Sequence, residues 1–192
     1  MTSHPLYEFV YRGLLSEESL DRAGRQPKLV VGRSSSELLE SLNYDLLDPE
    51  DLAIATQMSV VYAAITAFER SARRFVKKVL QGEYGGDWWN LRVSESIRKF
   101  ADSRREEENK VKWHGTRGDE PLTYTEMGQL AKIIQQNWGD FEPHVRRIDW
   151  ATSIFATIER SRNVIMHSGT LDLEDIERLG MNIRDWIKQV GA

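Results

Sequence analysis

Residues 48–82 read DPEDLAIATQMSVVYAAITAFERSARRFVKKVLQG, and their spacing decides the fold. Asp48 stands at an N-cap position, Pro49 at the first helical position, and Glu50 and Asp51 in the first turn, where carboxylates meet the positive end of the macrodipole. From there Ile54, Met58, Val61, Ile65, Phe68, Ala72, Phe75 and Val79 step by four and three. Such a heptad stripe must lie against other helices. The spacing predicts one long helix to about Leu80, closed by Gly82. Glu69 sits beside the stripe, on the flank defined by Tyr62, Ile65 and Val76. Arg70, Arg73, Arg74, Lys77 and Lys78 make the second half basic, which in a helix near its C-terminus is ordinarily a solvated face.

The rest of the chain repeats the pattern in shorter pieces. Ser94 to Val111 reads as a second, highly charged helix, with Glu106, Glu107 and Glu108 followed by Lys110 and Lys112. Thr123-Tyr124-Thr125-Glu126 has the form of a capping box, and Met127, Leu130, Ile133, Ile134 and Trp138 give the helix after it one apolar face, ended by Gly139. Asp149 is placed to cap a helix whose buried stripe is Ala151, Ile154, Phe155, Ile158 and Ile165. Asp172 is placed to cap the last, Leu173 to about Val190, with Ile176, Leu179, Ile183, Trp186 and Ile187 inward. Residues 48–192 are therefore expected to form an all-α bundle of four to five helices with short joins. Residues 1–47 read as an N-terminal extension. Leu6 to Leu15 and Ser36 to Leu47 have helical spacing, and Lys28-Leu29-Val30-Val31-Gly32 is a short strand or extended linker.

Composition narrows the chemistry. The 192 residues contain no cysteine, which excludes disulfide frameworks, thiolate catalysis and Cys-ligated metal or iron–sulfur sites. With 40% hydrophobic and 29% charged residues the chain packs rather than staying disordered. A formal net charge of -4 excludes a wholly basic nucleic-acid coat and leaves room for a local basic cleft. Glu8 and Arg12 interrupt the N-terminus before any long apolar run, and no stretch approaches a membrane span, so a cytoplasmic protein is expected. His4, His114 and His144 lie in different loops without metal-ligand spacing, so neither a metal nor a cofactor is implied. Gly82, Gly85 and Gly86 do not precede a Lys-Ser or Lys-Thr, and no Gly-x-Ser-x-Gly elbow occurs.

What remains is Glu159-Arg160-Ser161-Arg162-Asn163-Val164-Ile165-Met166-His167-Ser168-Gly169. Arg162 falls four after Ile158 and three before Ile165, so it points into the margin of the apolar stripe. Asn163 and His167 stack on one face, while Arg162 and His167 stand roughly 140° apart about the axis. A histidine that carries protons near neutral pH and a fixed guanidinium are what in-line RNA cleavage asks for. The bland alternative has His167 at the negative end of the helix dipole and Arg162 paired with a carboxylate such as Glu69. A two-fold dimer packing this edge against its copy would gather two arginines and two histidines in one cleft.

In these blocks the sequence resembles the HEPN superfamily of helical nucleotide- and RNA-binding domains, specifically its Swt-one-like branch. The resemblance covers roughly residues 52–190. It rests on Ala67-Phe68-Glu69-Arg70, Tyr84-Gly85-Gly86-Asp87-Trp88-Trp89, the charged segment Ser103 to Lys112, Leu130-Ala131-Lys132-Ile133-Ile134 with Trp138, and Arg162-Asn163-Val164-Ile165-Met166-His167. It implies a helical homodimer that cuts single-stranded RNA without metal, leaving a 2′,3′-cyclic phosphate. Arg162 and His167 match the family's catalytic pair, Asn163 its polar residue after the arginine, and Glu69 the polar position of the first helix. Arg70, Arg73, Arg74 and Lys77 are candidates for the RNA backbone track. Phage defence, a toxin system or RNA surveillance are the settings implied, with an antitoxin or effector as protein partner. A nucleotidyltransferase antitoxin that modifies a tyrosine is not expected, since His167 is followed by Ser168-Gly169. The alternative is a noncatalytic dimerisation or RNA-binding module serving a larger effector, and a weaker one is nucleotide sensing in the same cleft.

Overall fold

The computed structural model describes residues 35–191; the expected elements at Leu6 to Leu15 and Lys28 to Gly32 lie outside them. The chain divides into two units, Met1–Asp48 and Pro49–Ala192. In the first, helix α1 (Ser35–Ser41) and a 3-10 turn (Tyr44–Leu46) replace the continuous helix expected from Ser36 to Leu47. They are parted by Asn43, whose φ of 51° is left-handed, a conformation asparagine tolerates better than most residues.

The second unit is built on α2 (Pro49–Tyr84, 36 residues). The predicted start holds. The end lies past Gly82, because that glycine has helical space around it and Gly85, at φ +67°, makes the break instead. Met58, Val61, Ile65, Phe68, Ala72, Phe75 and Val79 are buried as the stripe requires, joined by Val76 and Leu80. Ile54, the first stripe position, is 44% exposed. Packing starts one turn later, where the Leu171 N–H meets the Met58 sulfur at 3.5 Å. Pro49–Arg92 contains an 18-residue window of mean hydropathy 1.4, enough to cross a membrane by length and composition alone, and 22% of that window is buried. This amends the expectation that no stretch approaches a span.

After α2 come a 3-10 turn (Gly85–Asp87), α3 (Trp88–Arg92), α4 (Glu95–Lys110), a 3-10 turn (Pro121–Tyr124), α5 (Met127–Gln136), α6 (Trp138–Phe141), α7 (Ile148–Met166) and α8 (Leu173–Val190). No strand occurs among the described residues, and the fold is all-α. α8 is capped as expected, the Asp172 carboxylate accepting the Asp175 N–H at 2.8 Å. Three local expectations are corrected. The capping box is Glu126 with Gln129, three residues later than Thr123 with Glu126. The hydroxyls of Thr123 and Thr125 instead donate to the Glu120 and Leu122 carbonyls, at 2.6 and 2.7 Å, and hold the 3-10 turn. α5 ends before Gly139, because the buried Asn137 amide donates to the Ile133 and Arg92 carbonyls, at 2.7 and 3.0 Å, and turns the chain into α6. Asp149 lies in the first turn of α7, with Arg147 at the cap.

The core centres on Trp186 of α8, which is fully buried. Its ring meets Phe68 and Phe75 of α2 at 5.9 and 5.6 Å, Phe155 of α7 at 5.0 Å, and stacks on Trp150 at 6.0 Å. One side chain thus fixes three helices by edge-to-face contacts. At the other end of α2 the Tyr84 hydroxyl donates to Asp140 at 3.0 Å, Arg92 pairs with the same carboxylate at 3.0 Å, and the Arg92 guanidinium lies over the Tyr84 ring at 4.3 Å. This polar knot pins the Gly85–Asp87 turn and α3 to α6.

The Trp186 Nε1–H is buried without an acceptor, and an unmade hydrogen bond of that kind has a cost. Trp186→Ala is therefore expected to lower unfolding stability by about 3–5 kcal/mol. Trp186→Phe should cost only about 1–2 kcal/mol, because the unpaired donor leaves with part of the ring. Urea unfolding followed by far-UV circular dichroism checks the ordering.

Candidate active site

The site is built where the last turns of α7 cross α2. Arg162 projects from the half-buried margin of α7 and places its Nε 3.2 Å from Oε1 of Glu69 on α2. The other carboxylate oxygen of Glu69 takes Nη1 of Arg73 at 3.1 Å. Arg73 spends its remaining donors on backbone, Nε to the Leu122 carbonyl at 3.3 Å and Nη2 to the Thr125 carbonyl at 2.9 Å. Glu69 is 15% exposed, Arg73 18% and Arg162 38%. The shared carboxylate is thus the inner anchor and Arg162 the outer member. Bonding through Nε leaves the terminal nitrogens of Arg162 directed outward, and Nη1 reaches Asn163 Oδ1 at 3.4 Å.

These side chains line a cleft of about 500 Å³ with Tyr62, Thr123, Thr125 and two arginines that the sequence reading passed over, Arg104 and Arg117. Arg104 of α4 pairs with Glu126 at 2.6 Å, and Arg117, from the loop after α4, pairs with Glu108 at 2.8 Å. A signal for Arg104 existed. It stands seven residues after Ile97 and three after Ala101, the two buried positions of α4, so it shares their inward face.

His167 reaches the site by a different route. It is the C-cap of α7, and the turn after it is a Schellman motif. Gly169 N–H donates to the Val164 carbonyl at 2.8 Å and Ser168 N–H to the Ile165 carbonyl at 3.0 Å. Ser168 occupies the left-handed position, φ 61°, that glycine usually fills. Gly169 has no room for a side chain, since a Cβ there would sit 2.8 Å from Val164 Cγ1 and 2.9 Å from its carbonyl oxygen. The backbone of His167 is therefore fixed while its ring is exposed. The ring faces a second, shallower hollow shared with Glu159, Arg160, Asn163 and Val164. Glu159 also accepts the Gly128 N–H at 3.3 Å and so ties α7 to the start of α5.

Of the predicted site residues, Arg162, Glu69 and Asn163 come together, and His167 lies one hollow away on the same helix end, with Asn163 touching both. The predicted basic track is divided. Arg73 belongs to the Glu69 cluster, and Lys77 pairs with Glu120 at 2.8 Å. Arg70 and Arg74 are exposed, and Arg74 lines a separate hollow with Lys77, Lys78 and the end of α8. Among the described residues no three His, Asp or Glu side chains gather as a metal-ligand set.

A family model described as Swt1-like HEPN matches residues 63–191 of the chain. No curated protein and no solved structure matches it.

Removing the shared carboxylate leaves two half-buried guanidiniums facing each other. Glu69→Ala is expected to cost roughly 2–3 kcal/mol and Glu69→Gln less, read as shifts in urea unfolding. The turn after His167 gives the opposite pair of outcomes. Ser168→Gly relieves the left-handed strain and should stabilise by about 0.5–1 kcal/mol. Gly169→Ala forces the turn off Val164, and chemical shifts of the His167 ring should move while the bundle stays helical.

Proposed function

The chain belongs to the Swt1-like HEPN family, and from that premise we propose that it is a metal-independent endoribonuclease of single-stranded RNA acting through Arg162 and His167. The observation that carries this reading is the mounting of Arg162. A guanidinium held through Nε by a nearly buried carboxylate, at the rim of an arginine-lined cleft, is preorganised for charge that develops outside it. In the reaction the RNA 2′-oxygen bonds to phosphorus and the bond from phosphorus to the 5′-oxygen breaks. His167 takes the proton of the 2′-hydroxyl or delivers one to the leaving oxygen. Arg162 holds the non-bridging oxygens as negative charge builds on them. Glu69 orients Arg162, and Asn163, between the two, positions the strand. The products are a 2′,3′-cyclic phosphate and a free 5′-hydroxyl.

Within one chain the two residues stand roughly 140° apart about the helix and open onto different hollows. We therefore place the working site across a homodimer, with Arg162 of one protomer and His167 of its partner meeting over one phosphate. A toxin, a phage-defence effector or an RNA-surveillance nuclease is the corresponding role, with an inhibitor or effector as protein partner. The same separation of Arg162 from His167 favours, as the second reading, a noncatalytic RNA-binding or dimerisation module.

Purified protein is expected to cut single-stranded RNA in EDTA and to leave DNA intact, because DNA lacks the internal nucleophile. Arg162→Ala and His167→Ala should each lower the rate by at least about 100-fold with the helical signal unchanged. Mixing the two variants should restore part of the activity, since heterodimers regain one Arg162 and one His167. Activity that survives His167→Ala points to the second reading, as does the absence of growth arrest on inducing the wild type.

A further inference from the structure

We propose that the loop after α4 is an arm that holds the nucleotides flanking the cut, with Arg104 and Arg117 taking backbone phosphates and Trp113 stacking on a base. This rests on the RNA reading above but uses residues outside the Arg162–His167 pair. Trp113 is 86% exposed, the most exposed large apolar side chain among the described residues. A ring of that size left in water has forgone the burial that the other tryptophans gain, which points to an occupant.

The arm has defined ends and a projecting tip. At its start the His114 N–H donates to the Val111 carbonyl at 3.1 Å, and the His114 ring stands edge-on to Trp113 at 5.7 Å. At its end Glu108 grips Arg117 twice, Oε2 accepting the backbone N–H at 3.1 Å and Oε1 meeting Nε at 2.8 Å. The Tyr124 hydroxyl then donates to the Gly118 carbonyl at 2.9 Å, where the φ of 102° requires glycine. Ordering that would otherwise oppose ligand capture is already in place.

The tip of the arm is locally basic, between the acidic stretches Glu106–Glu108 and Asp119–Glu120. From Lys110 to Arg117 the chain carries Lys110, Lys112 and Arg117 and no carboxylate. Arg117 lines the cleft together with Arg104 and Arg162. Trp113 is four residues from Arg117, a reach of at most about 14 Å, which neighbouring nucleotides of one strand cover. Each arginine is held by one ring face and one carboxylate. The Arg104 guanidinium lies 4.5 Å over the Phe100 ring and is bonded to Glu126, and Arg117 lies 5.9 Å over the Tyr124 ring and is bonded to Glu108. An aromatic floor and one carboxylate set the plane of each fork, and its open edge is matched to phosphate oxygens. Stacking from an aromatic beside cations is how single strands are held without regard to sequence.

The test measures binding of a 5′-labelled single-stranded oligoribonucleotide by anisotropy across a salt series. It is done in the His167→Ala background so that the RNA stays whole. Trp113→Ala should weaken binding about 5- to 150-fold and leave the salt slope unchanged. Arg104→Ala and Arg117→Ala should each reduce the slope of log K against log salt by about 0.7, and Arg117→Lys should keep the slope. Circular dichroism melts separate these effects from unfolding. Folded variants with unchanged affinity and slope would overturn the arm, even where loss of cleavage in Arg162→Ala upholds the catalytic reading. Conversely, binding that depends on the three residues in a protein that cuts no RNA upholds the arm and sinks the catalysis. Trp113→Ala that turns a dimer into a monomer in sedimentation assigns the ring to a protein interface and overturns the proposal.

Discussion

A single carboxylate, that of Glu69, joins the parts of this domain that bear on its chemistry. It sits on the longest helix among the described residues, next to the buried Phe68 and three residues before the buried Ala72, and takes Arg162 from α7 and Arg73 from its own helix. Arg73 carries the link onward to the Leu122 and Thr125 carbonyls, so the 3-10 turn before α5 is tied to the same point. Three acceptors in different directions suit a planar fork with donors on three nitrogens, and an ammonium group could not reach them together. Without Glu69 the two guanidiniums would repel across a poorly solvated gap, and α7 would have no polar reason to hold Arg162 at that angle. The apolar core sets the distance between α2 and α7 through Phe68, Phe155 and Trp186; the carboxylate sets their register.

How much of this was legible depends on which kind of signal a residue sends. Helix starts carry local chemistry, and Asp48-Pro49 and Asp172 were readable from it, whereas at Thr123 and Asp149 the cap fell on another residue. Helix ends are decided by competition. Gly82 has the residue type of a stop but no need to adopt a positive φ, and Gly85 three residues later adopts it. Apolar spacing told which face of α2 is buried but not what covers it, which is why Ile54 belongs to the stripe and yet is exposed.

Charged residues are the least legible, because sequence shows their sign and not their partners. Arg73 looked like one cation in a basic run with Arg70, Arg74 and Lys77, and only the tertiary fold separates it as a half-buried arginine bonded to Glu69 and two backbone carbonyls. The margin position of Arg162 was readable from its spacing to Ile158 and Ile165, and so was the pairing with Glu69 as one of two readings. Arg104 was hidden by composition. In a helix whose charges are mostly solvated, the few that share the face of Ile97 and Ala101 do not stand out until the buried pair is known.

The pairing of Glu69 with Arg162 fits both a structural and a catalytic account, and what distinguishes them is the contrast between the two ends of the motif. A purely structural arginine would gain from deeper burial and from short bonds to backbone carbonyls like those of Arg73, whereas the second acceptor of Arg162 is the exposed Asn163 amide at 3.4 Å. Arg162 instead keeps its outer nitrogens toward a cleft that also collects Arg104 and Arg117. The histidine is held the other way round. Its backbone is locked by a turn that keeps the left-handed Ser168 and has no room for a Cβ at Gly169, while its ring is exposed beside the second hollow. On the proposed reading a fixed cation and an exposed imidazole on a rigid turn would divide the work of phosphoryl transfer, since charge stabilisation gains from immobility and proton transfer needs an accessible ring.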